Sequence, residues 1–426
     1  MSSRRTDDSS PLQLLDEADL SRCVRCGLCL QSCPTYVELG LETESPRGRL
    51  YLIRALASER VQPTPNVLEH LDLCLQCRNC EAVCPSGVPY GSIMEAARAE
   101  IMDGPKAPFS WKLRRFLLRL TIAHPGQLML MGTLIRFYHW SGLRALAEQV
   151  LPPRWKRLSQ LTPVPKGRPF RRMGSLARPS GTVKARVALL TGCIMPEFYG
   201  DVHRATVRVL ARNGCEVQAP LGQTCCGALF AHSGDRESAI RLAKRNIDAF
   251  LNSGADVIVT NAAGCGAAMK EYSHLLQRDP EYSEKANRFS ALVKDILEFL
   301  NELPFQPPTR PLKETVTYQD SCHLAHAQRV REAPRAILRS IPGLRLMEME
   351  HPDRCCGSAG IYNLTNREMS SQLLDSKMKE ADSTGARVIA TANPGCILQL
   401  EAGAKQRNLD CSVVHVIELL DRAYKG

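Results

Sequence analysis

Short apolar runs alternate with longer helical patterns through the C-terminal half of the chain. Four apolar runs have the length of buried β-strands: Val187–Leu190, Val257–Thr260, Thr315–Tyr318 and Val388–Ala390. Helical periodicity lies between them, as at Glu237–Leu251 and Arg367–Lys379. Strands that alternate with helices predict a mostly parallel sheet with helices packed on it.

The same half of the chain is an internal repeat. Two sets of cysteines recur in the same order: Cys193, Cys225, Cys226 and Cys265, then Cys322, Cys355, Cys356 and Cys396. The offsets between partners are 129, 130, 130 and 131 residues. We therefore predict two copies of one α/β domain, residues 185–300 and 314–426. Cysteines that follow strands lie at the carboxyl edge of the sheet, where open α/β sheets bind ligands.

Residues 21–100 carry two dense cysteine motifs. Each reads C-x2-C-x2-C-x3-C-P: Cys23, Cys26, Cys29 and Cys33-Pro34, then Cys74, Cys77, Cys80 and Cys84-Pro85. This is the spacing of two-cluster bacterial ferredoxins, in which the fourth cysteine of each motif ligates the other cluster. We predict one [4Fe–4S] cluster on Cys23, Cys26, Cys29 and Cys84, and a second on Cys33, Cys74, Cys77 and Cys80. Zinc sites use pairs of cysteines rather than these four-cysteine runs.

The connection between the two motifs is longer than in a compact ferredoxin. Residues Arg49–Ser58 within it have a helical pattern. The predicted architecture is therefore α+β and multidomain: a helical two-cluster ferredoxin domain followed by two repeated α/β domains. Residues 1–20 are a polar N-terminal tail.

Residues 101–184 form a basic segment with helical and Pro-rich parts. From Ile101 to Arg186 the chain has 17 Lys or Arg and 2 acids, so the rest of the chain has a net charge of −4. Trp111–Trp140 reads as a basic amphipathic helix, which can lie on an anionic membrane, dock on an acidic partner or pack on its own ferredoxin domain. No nucleic-acid-binding signature accompanies it. The Pro-rich part reads as a linker and contains Pro152, Pro153, Pro163, Pro165 and Pro169.

Cysteine usage and hydropathy indicate the cellular compartment of the protein. The chain has 18 cysteines, and no apolar h-region follows the polar start MSSRRTDDSS. Tightly spaced cysteines without an export signal favour metal over disulfides and a reducing cytoplasm. No run of 18 apolar residues predicts a membrane span. Peripheral contact with the inner face of the cell membrane stays open through the basic segment.

Each repeat contains an adjacent cysteine pair, Cys225-Cys226-Gly227 and Cys355-Cys356-Gly357. Adjacent cysteines seldom form a disulfide with each other, because that disulfide would strain the peptide bond between them. Four thiolates per domain suit an iron–sulfur cluster or zinc. The alternative is that these are small residues buried in a tight loop. Cys215 and Cys411 fall outside the repeat and are expected in the core.

These features resemble the glycolate oxidase iron–sulfur subunit family. The resemblance covers nearly the whole chain and includes four further segments: Ser45-Pro46-Arg47-Gly48-Arg49, Cys74 to Gly91, Asp320-Ser321-Cys322-His323-Leu324 and Asn393-Pro394-Gly395-Cys396. Lactate-utilisation proteins, anaerobic glycerol-3-phosphate dehydrogenase C subunits and heterodisulfide reductase B subunits share this architecture. The heterodisulfide reductase type ends each repeat in CxxC, whereas here Ala262 and Asn393 replace the first cysteine of that pair.

The resemblance implies an iron–sulfur subunit that carries electrons in the oxidation of glycolate to glyoxylate. The chain has no G-x-G-x-x-G fingerprint for a flavin or nicotinamide. An FAD-binding dehydrogenase subunit is therefore the expected electron donor, and a quinone or similar molecule the acceptor. The subunit is not expected to be catalytic alone. An L-lactate or glycerol-3-phosphate complex and a heterodisulfide-reductase-like protein are the alternatives. His323 and His326 have either a ligand or proton-transfer role or a structural one.

Overall fold

The structure is a computed structural model that describes residues 14–152, 165, 167–179 and 181–425. The tail up to residue 13, and Pro153 and Pro163 of the Pro-rich stretch, lie outside the described residues. The chain divides into two compact units. The ferredoxin unit comprises Met1–Leu117 and Leu229–Arg236, and the CCG unit comprises Leu118–Ala228 and Glu237–Gly426.

The ferredoxin unit is built from short helices joined by the cysteine loops. They are α1 Glu17–Ser21, α2 Pro34–Leu39, α3 Pro46–Ala57, α4 Pro65–Asp72, α5 Asn79–Ala82, α6 Tyr90–Asp103 and the first part of α7 Phe109–Thr121. Proline at the first position starts α2, α3 and α4, where its missing N–H costs nothing. The Ser45 and Thr64 side chains cap the α3 and α4 N-termini by accepting backbone N–H groups. The predicted helix at Arg49–Ser58 coincides with α3 as far as Ala57, and Ser58 is the C-cap of α3.

The core of this unit packs α3, α4 and α6 around the second cysteine motif. Ile53, Leu71, Met94 and Ala97 are fully buried in it. Trp111 of α7 joins the same core, and Arg114 of α7 pairs with Asp72 at 3.0 Å. One face of the basic segment thus packs on its own ferredoxin domain, which is one of the three alternatives that its sequence left open.

The CCG unit contains two sheets. The strands are β1 Gly174–Ala177, β2 Ala185–Leu189, β3 Cys215–Ala219, β4 Val257–Thr260, β5 Val293–Asp295, β6 Thr315–Tyr318, β7 Arg345–Met347, β8 Val388–Thr391 and β9 Ser412–His415. The first sheet has the order β1-β3-β2-β4-β5 and the second β7-β6-β8-β9. All pairs are parallel except β1 with β3.

The two sheets repeat one topology, since β3-β2-β4-β5 corresponds to β7-β6-β8-β9. Two helices precede β1 along the chain, α8 Pro125–Trp140 and α9 Leu143–Val150. The other helices connect strands or follow β9: α10 Ile194–Phe198, α11 Gly200–Arg212, α12 Ala228–His232, α13 Arg236–Leu251, α14 Ala263–Lys270, α15 Tyr272–Leu275, α16 Ser283–Leu292, α17 Ile296–Glu302, α18 Glu332–Arg339, α19 Tyr362–Thr365, α20 Arg367–Ser383, α21 Pro394–Gln406 and α22 Val416–Tyr424. This confirms the predicted class of two repeated α/β domains behind a helical ferredoxin domain. In this strand order the chain reverses between β2 and β4, and between β6 and β8, which is where such folds bind ligands.

One edge strand lies in a stretch that its sequence marks as linker. Gly174–Ala177 pairs antiparallel with β3 and extends the first sheet by one strand. The second sheet has no counterpart among the described residues. The Pro-rich stretch therefore ends in ordered structure that covers an edge of the first sheet, which would otherwise expose unpaired N–H and C=O groups.

Helices α8 and α9 lie in the CCG unit and contact each other. Leu128 and Gly132 of α8 are buried, and Gly132 approaches the Glu197 side chain closely. The opposite face of α8 and most of the apolar residues of α9 are exposed. No helix in the described part of the chain is both long and apolar enough to span a bilayer.

Candidate metal centres

Four thiols of the ferredoxin unit line one cavity. They are Cys33, Cys74, Cys77 and Cys80, which we call the buried set, and all four are buried. Burial, followed by the neighbouring thiols Cys77, Cys33 and Cys74, raises the pKa of Cys80 well above its ordinary value. The structure therefore places Cys33 of the first motif with the first three cysteines of the second motif.

Both cysteine loops have the same backbone conformation. Arg25 and Gly27 in the first motif, and Gln76 and Arg78 in the second, have φ between 53° and 83°. A left-handed residue between successive cysteines turns the loop around its thiols and aims N–H groups inward. The Gln76 N–H donates to the Cys74 sulfur at 3.4 Å. Hydrogen bonds of this kind to sulfur tune a cluster's reduction potential.

Arg78 occupies the position of Gly27 in the second motif, although this conformation is costly for a residue with a side chain. Its side chain is buried and lies 3.6 Å from Glu95 and 3.9 Å from Glu81. A Cβ atom at Gly91 would lie 2.4 Å from the Arg78 Nε atom. The glycine therefore makes room for the guanidinium beside the buried set.

The remaining ferredoxin cysteines, Cys23, Cys26, Cys29 and Cys84, form the exposed set. Cys26 is exposed and the other three are half-buried. Burial raises the pKa of Cys29 to about 11, and the neighbouring Cys23 and Cys33 thiols act in the same direction. The two ferredoxin sets therefore differ in their access to solvent.

Arg49, in the segment Ser45–Arg49, is a buried cation behind the buried set. Its guanidinium is 1% exposed and pairs with the Glu44 carboxylate. It also donates to the Thr35 hydroxyl at 3.0 Å and the His70 carbonyl at 2.7 Å. One nitrogen lies 3.9 Å from the Cys33 sulfur. Arg49 therefore links the wall of the buried set to α2 and α4 through hydrogen bonds.

The segment Leu229–Arg236 packs in the ferredoxin unit although it follows the first CCG pair along the chain. The Gln76 and Arg98 side chains donate to the His232 carbonyl at 3.0 and 2.9 Å. The His232 ring lies 2.7 Å from Glu95. The segment is thus attached to the wall of the buried set and begins three residues after Cys226.

In the first repeat, Cys193, Cys225, Cys226 and Cys265 form the first CCG set. The Cys225 thiol contacts the Cys193 and Cys226 thiols, and Cys226 contacts Cys265. The Cys193 and Cys226 thiols, together with burial, raise the pKa of Cys225 well above its ordinary value, and the Cys226 thiol and burial do the same for Cys265. The four thiols follow β2, β3 and β4, so they converge at the carboxyl edge of the first sheet.

In the second repeat, Cys322, Cys355, Cys356 and Cys396 form the second CCG set. Cys355 contacts Cys322 and Cys356, and Cys356 contacts Cys396. The Cys355 contact, together with burial, raises the pKa of Cys356 to about 12. The Asn393 amide donates to the Cys396 sulfur at 3.7 Å. The set has the same connectivity and the same position in its sheet as the first.

The loops that precede Cys265 and Cys396 contact each other. The Ala263 N–H donates to the Ala392 carbonyl, and the Gly264 N–H to the Asn393 side-chain oxygen, both at 3.2 Å. Gln328 donates to the Ala263 carbonyl at 2.9 Å. The two CCG sets therefore lie on loops that form one interface between the repeats.

The two histidines after Cys322 differ in their environment. The His323 ring lies 3.5 Å from the Cys322 sulfur. His326 is buried with both ring nitrogens engaged, by the Asp353 carbonyl and by Arg331, each at 3.0 Å. These contacts favour a structural role for His326. Cys215 is fully buried in β3, and the half-buried Cys411 packs against the same core.

The donor chemistry of these sets fits iron–sulfur clusters, which are held by cysteine thiolates. Sixteen of the 18 cysteines fall into the four sets, and each set supplies four sulfurs. No group of three or more His, Cys, Asp or Glu side chains in the described part of the chain is placed to hold a single metal ion.

Family models match both parts of the chain. A 4Fe-4S dicluster domain matches residues 19–88, and a cysteine-rich domain matches residues 187–270 and 316–401. A structure titled as a hypothetical protein from Helicobacter pylori has a similar fold, with a TM-score of 0.55 and 10% sequence identity. It covers 97% of this chain and 73% of that one.

Two of the similar curated proteins are glycolate oxidase iron–sulfur subunits. A probable glycolate oxidase iron-sulfur subunit from Bacillus subtilis (strain 168) is 42% identical over 95% of this chain and 94% of that protein. The glycolate oxidase iron-sulfur subunit of Escherichia coli (strain K12) is 36% identical over 96% and 95%. Lactate utilization protein A from Geobacillus thermodenitrificans is 32% identical over 55% of this chain and 98% of its own length. With the dicluster domain and both cysteine-rich domains in place, the chain belongs to the glycolate oxidase iron–sulfur subunit family.

Proposed function

We propose that this chain is the electron-transfer subunit of a glycolate dehydrogenase complex, in which glycolate is oxidised to glyoxylate. The observation that carries the proposal is the cavity lined by Cys33, Cys74, Cys77 and Cys80. In a two-cluster ferredoxin the fourth cysteine of each motif ligates the other cluster, and this cavity brings together thiols from both motifs in that way. When bound, the two [4Fe–4S] clusters supply one-electron carriers that the polypeptide lacks.

The two ferredoxin sets suit different steps of electron transfer. The exposed set, with Cys26 at the surface, is the one that a partner subunit can approach. The buried set is shielded, and Arg49 places a positive charge beside it. The chain's own residues thereby fix the surroundings of each cluster, and burial and nearby charge are the terms that set reduction potential.

We extend the proposal to the CCG domains, whose eight thiols form two further sets suited to iron–sulfur clusters. Their support is the convergence of four thiols per domain at the point where the strand order reverses. About eight irons per chain would fill the ferredoxin sets alone, and about sixteen would fill all four sets. Iron analysis of the purified chain decides between filled and empty CCG sites.

The electron donor is an FAD-binding dehydrogenase subunit, and the acceptor is a quinone or a similar molecule. The glycolate oxidase relatives, which align over 95% and 96% of this chain, favour glycolate as the substrate of that partner. L-lactate is the second candidate, because the lactate utilization relative aligns over 55% of this chain. The partner that co-purifies with the chain, and its activity with each acid, distinguishes the two.

The purified chain is expected to be inactive with glycolate and any dye acceptor when flavin is absent. A two-electron oxidation needs a hydride-accepting cofactor, which iron–sulfur clusters do not replace. Adding the flavoprotein subunit should restore dye reduction, and glycolate should support a higher kcat/KM than L-lactate. Dye reduction by the flavin-free chain would contradict the subunit assignment, and a preference for L-lactate would favour the second candidate.

We propose further that α8 and α9 rest on an anionic membrane surface. Exposed apolar side chains follow one face of α8 at Leu130, Leu134 and Phe137 and continue at Leu146 and Val150 of α9. Trp140, the last residue of α8, is 83% exposed. From Pro125 to Val150 the sequence carries two cations, Arg136 and Arg144, and one acid, Glu148. An exposed apolar face that ends in an exposed tryptophan is typical of helices in the membrane interface.

The Leu130→Glu and Phe137→Glu variants are expected to lose most binding to vesicles of phosphatidylglycerol and phosphatidylcholine. Full burial of such a side chain contributes about 1.5–3 kcal/mol, so each loss should weaken binding about tenfold or more. Gln127→Glu, at an exposed polar position of α8, is the control and should bind nearly as the unaltered chain does. If the unaltered chain did not pellet with these vesicles, the membrane proposal would be wrong. If it pelleted only when the flavoprotein was added, the apolar face of α8 and α9 would be assigned to that partner.

A further inference from the structure

The two CCG sets are alike in their cysteines but not in the residues that surround them. The repeat offsets of 129 to 131 residues identify matched positions. They are Gly192 with Ser321, Thr224 with Arg354, Asn246 with Lys377, Ala249 with Glu380, and Ala262 with Asn393. In three pairs a neutral residue of the first repeat is matched by a charged residue in the second: Arg354, Lys377 and Glu380. In the other two pairs, Gly192 and Ala262 of the first repeat are matched by residues with polar side chains, Ser321 and Asn393.

The offset in the long helix follows from the packing of the glycine in each Cys-Cys-Gly loop. A Cβ atom at Gly227 would meet Ala239 of α13, and one at Gly357 would meet Ser370 of α20. These contacts set α13 and α20 in register at an offset of 131 residues. Asn246 and Lys377 therefore occupy the same position behind the two cysteine pairs.

Asn246 is a neutral support for the first pair. Its amide donates to the Cys225 carbonyl at 3.0 Å and to the Tyr272 hydroxyl at 3.1 Å, and it accepts the Thr224 N–H at 2.8 Å. Each of these contacts is to backbone or to a neutral side chain. At this position α13 therefore supports the first CCG set with a neutral side chain.

Lys377 places an ammonium group at the same position in the second repeat, although it is 1% exposed. It lies 3.1 Å from Glu380 and within electrostatic reach of the Cys356 thiol. Arg354, next to Cys355, lies 3.9 Å from the same carboxylate. Two cations share one anion here, so the immediate surroundings carry a net positive charge.

The second CCG set also receives side-chain hydrogen bonds to a sulfur that have no counterpart at the matched positions of the first repeat. The Cys396 thiol receives the Asn393 amide at 3.7 Å and also contacts the Ser321 side chain. The positions matched to these two donors are Ala262 and Gly192, which have no polar side chain. The other charged groups of this end pair among themselves: Arg335 with both Asp320 and Glu348, and Arg331 with Asp353.

We propose that the two CCG sites are polarised, with the cluster on the second CCG set held at the higher reduction potential. Positive charge and hydrogen bonds to sulfur stabilise the reduced cluster, which carries one more negative charge. If clusters occupied both sites, an electron on the first would pass to the second, which would oxidise the first cluster and reduce the second without making or breaking a bond. The direction is set by Lys377 and Asn393, which act as positioning and tuning residues. The inference rests on the proposed occupancy of the CCG domains.

A redox titration of the full chain, monitored by electron paramagnetic resonance, tests this direction. Cys226→Ser and Cys356→Ser identify which signal belongs to which repeat. Lys377→Asn and Asn393→Ala install the residues of the first repeat, and each should lower the higher CCG potential. A tenfold change in that site's reduction equilibrium corresponds to about 59 mV for one electron. Lys379→Asn removes an exposed charge from the same helix and should leave both potentials nearly unchanged.

The outcomes separate the inference from the function on which it rests. Iron near eight per chain, with no CCG signals, would overturn the occupancy of the CCG domains and this inference with it. Full iron with equal or reversed potentials would overturn only the polarity. Lys377→Asn could disturb folding because it leaves Glu380 short of a partner. Asn393→Ala changes no charge, so unchanged potentials in a folded Asn393→Ala chain, together with a Lys377→Asn shift no larger than that of Lys379→Asn, would also overturn the polarity.

Discussion

The Cys80→Ser variant is expected to lose one ferredoxin cluster and about four irons per chain while keeping the other cluster. Cys80 is buried and lines the same cavity as Cys33, Cys74 and Cys77. A serine hydroxyl is a hard, weakly acidic ligand that does not replace a thiolate on iron. Iron analysis and electron paramagnetic resonance of the reduced chain measure the loss, and electron transfer from the flavoprotein should fall with it.

Because Cys33 of the first motif lies with three cysteines of the second, variants of the two motifs should affect the clusters in a specific combination. Cys33→Ser should remove the same signal as Cys80→Ser, although Cys33 belongs to the first motif, whereas Cys26→Ser should remove the other signal. Cys411→Ser, at a half-buried cysteine outside the four sets, is the matched control and should keep all of its iron. If Cys33→Ser instead removed the signal that Cys26→Ser removes, the ligand assignment would be wrong.

The repeated α/β domains could be predicted from the sequence because their signals are local and occur twice. The apolar runs Val257–Thr260 and Thr315–Tyr318 coincide with β4 and β6, and the predicted helix Arg367–Lys379 lies inside α20. Buried parallel strands are continuous apolar runs, so their limits are visible without knowledge of their partners. The near-constant cysteine offsets then fixed the register of the two copies.

Elements that depend on distant partners could not be predicted in this way. The strand Gly174–Ala177 has four residues, and it is a strand only because β3 pairs with it. Leu229–Arg236 belongs to the ferredoxin unit through Gln76 and Arg98, more than 130 residues earlier in the chain. Propensity and periodicity describe neither contact, since both arise from tertiary packing.

The buried charges beside the cysteine sets could not be predicted from the sequence for a related reason. Arg49 and Lys377 belong to residue types that are almost never fully buried, so sequence alone favours exposed positions for both. Asn393 was visible as the replacement of a motif cysteine, but its bond to Gly264 in the other repeat was not. For Lys377 the usable signal was the comparison of the repeats, in which a neutral Asn246 stands at the matched position.

The Arg49→Met variant is expected to destabilise the ferredoxin unit by about 3–5 kcal/mol, the range for removing one partner of a buried ion pair. The change leaves the Glu44 carboxylate buried without its cation and removes hydrogen bonds to Thr35 and to the His70 carbonyl. With a urea dependence of about 1–3 kcal/mol per molar, the midpoint for loss of the ferredoxin clusters should fall by at least about 1 M. Urea titration followed by cluster absorbance and by circular dichroism measures this shift.

Arg47 supplies the control within the same helix. It pairs with Glu42 and donates to the Arg25 carbonyl at 3.2 Å on the surface, where the ion-paired side chains are substantially exposed, so Arg47→Met should cost at most about 1 kcal/mol. Arg49→Lys keeps the charge but cannot reproduce the bonds of the guanidinium to Glu44, Thr35 and His70 together, so it should fall between the two methionine variants. Equal urea midpoints for Arg49→Met and Arg47→Met would mean that the buried cation does not support the wall of the buried set. A lower cluster potential in Arg49→Lys, without a loss of stability, would instead assign Arg49 to tuning Cys33 alone.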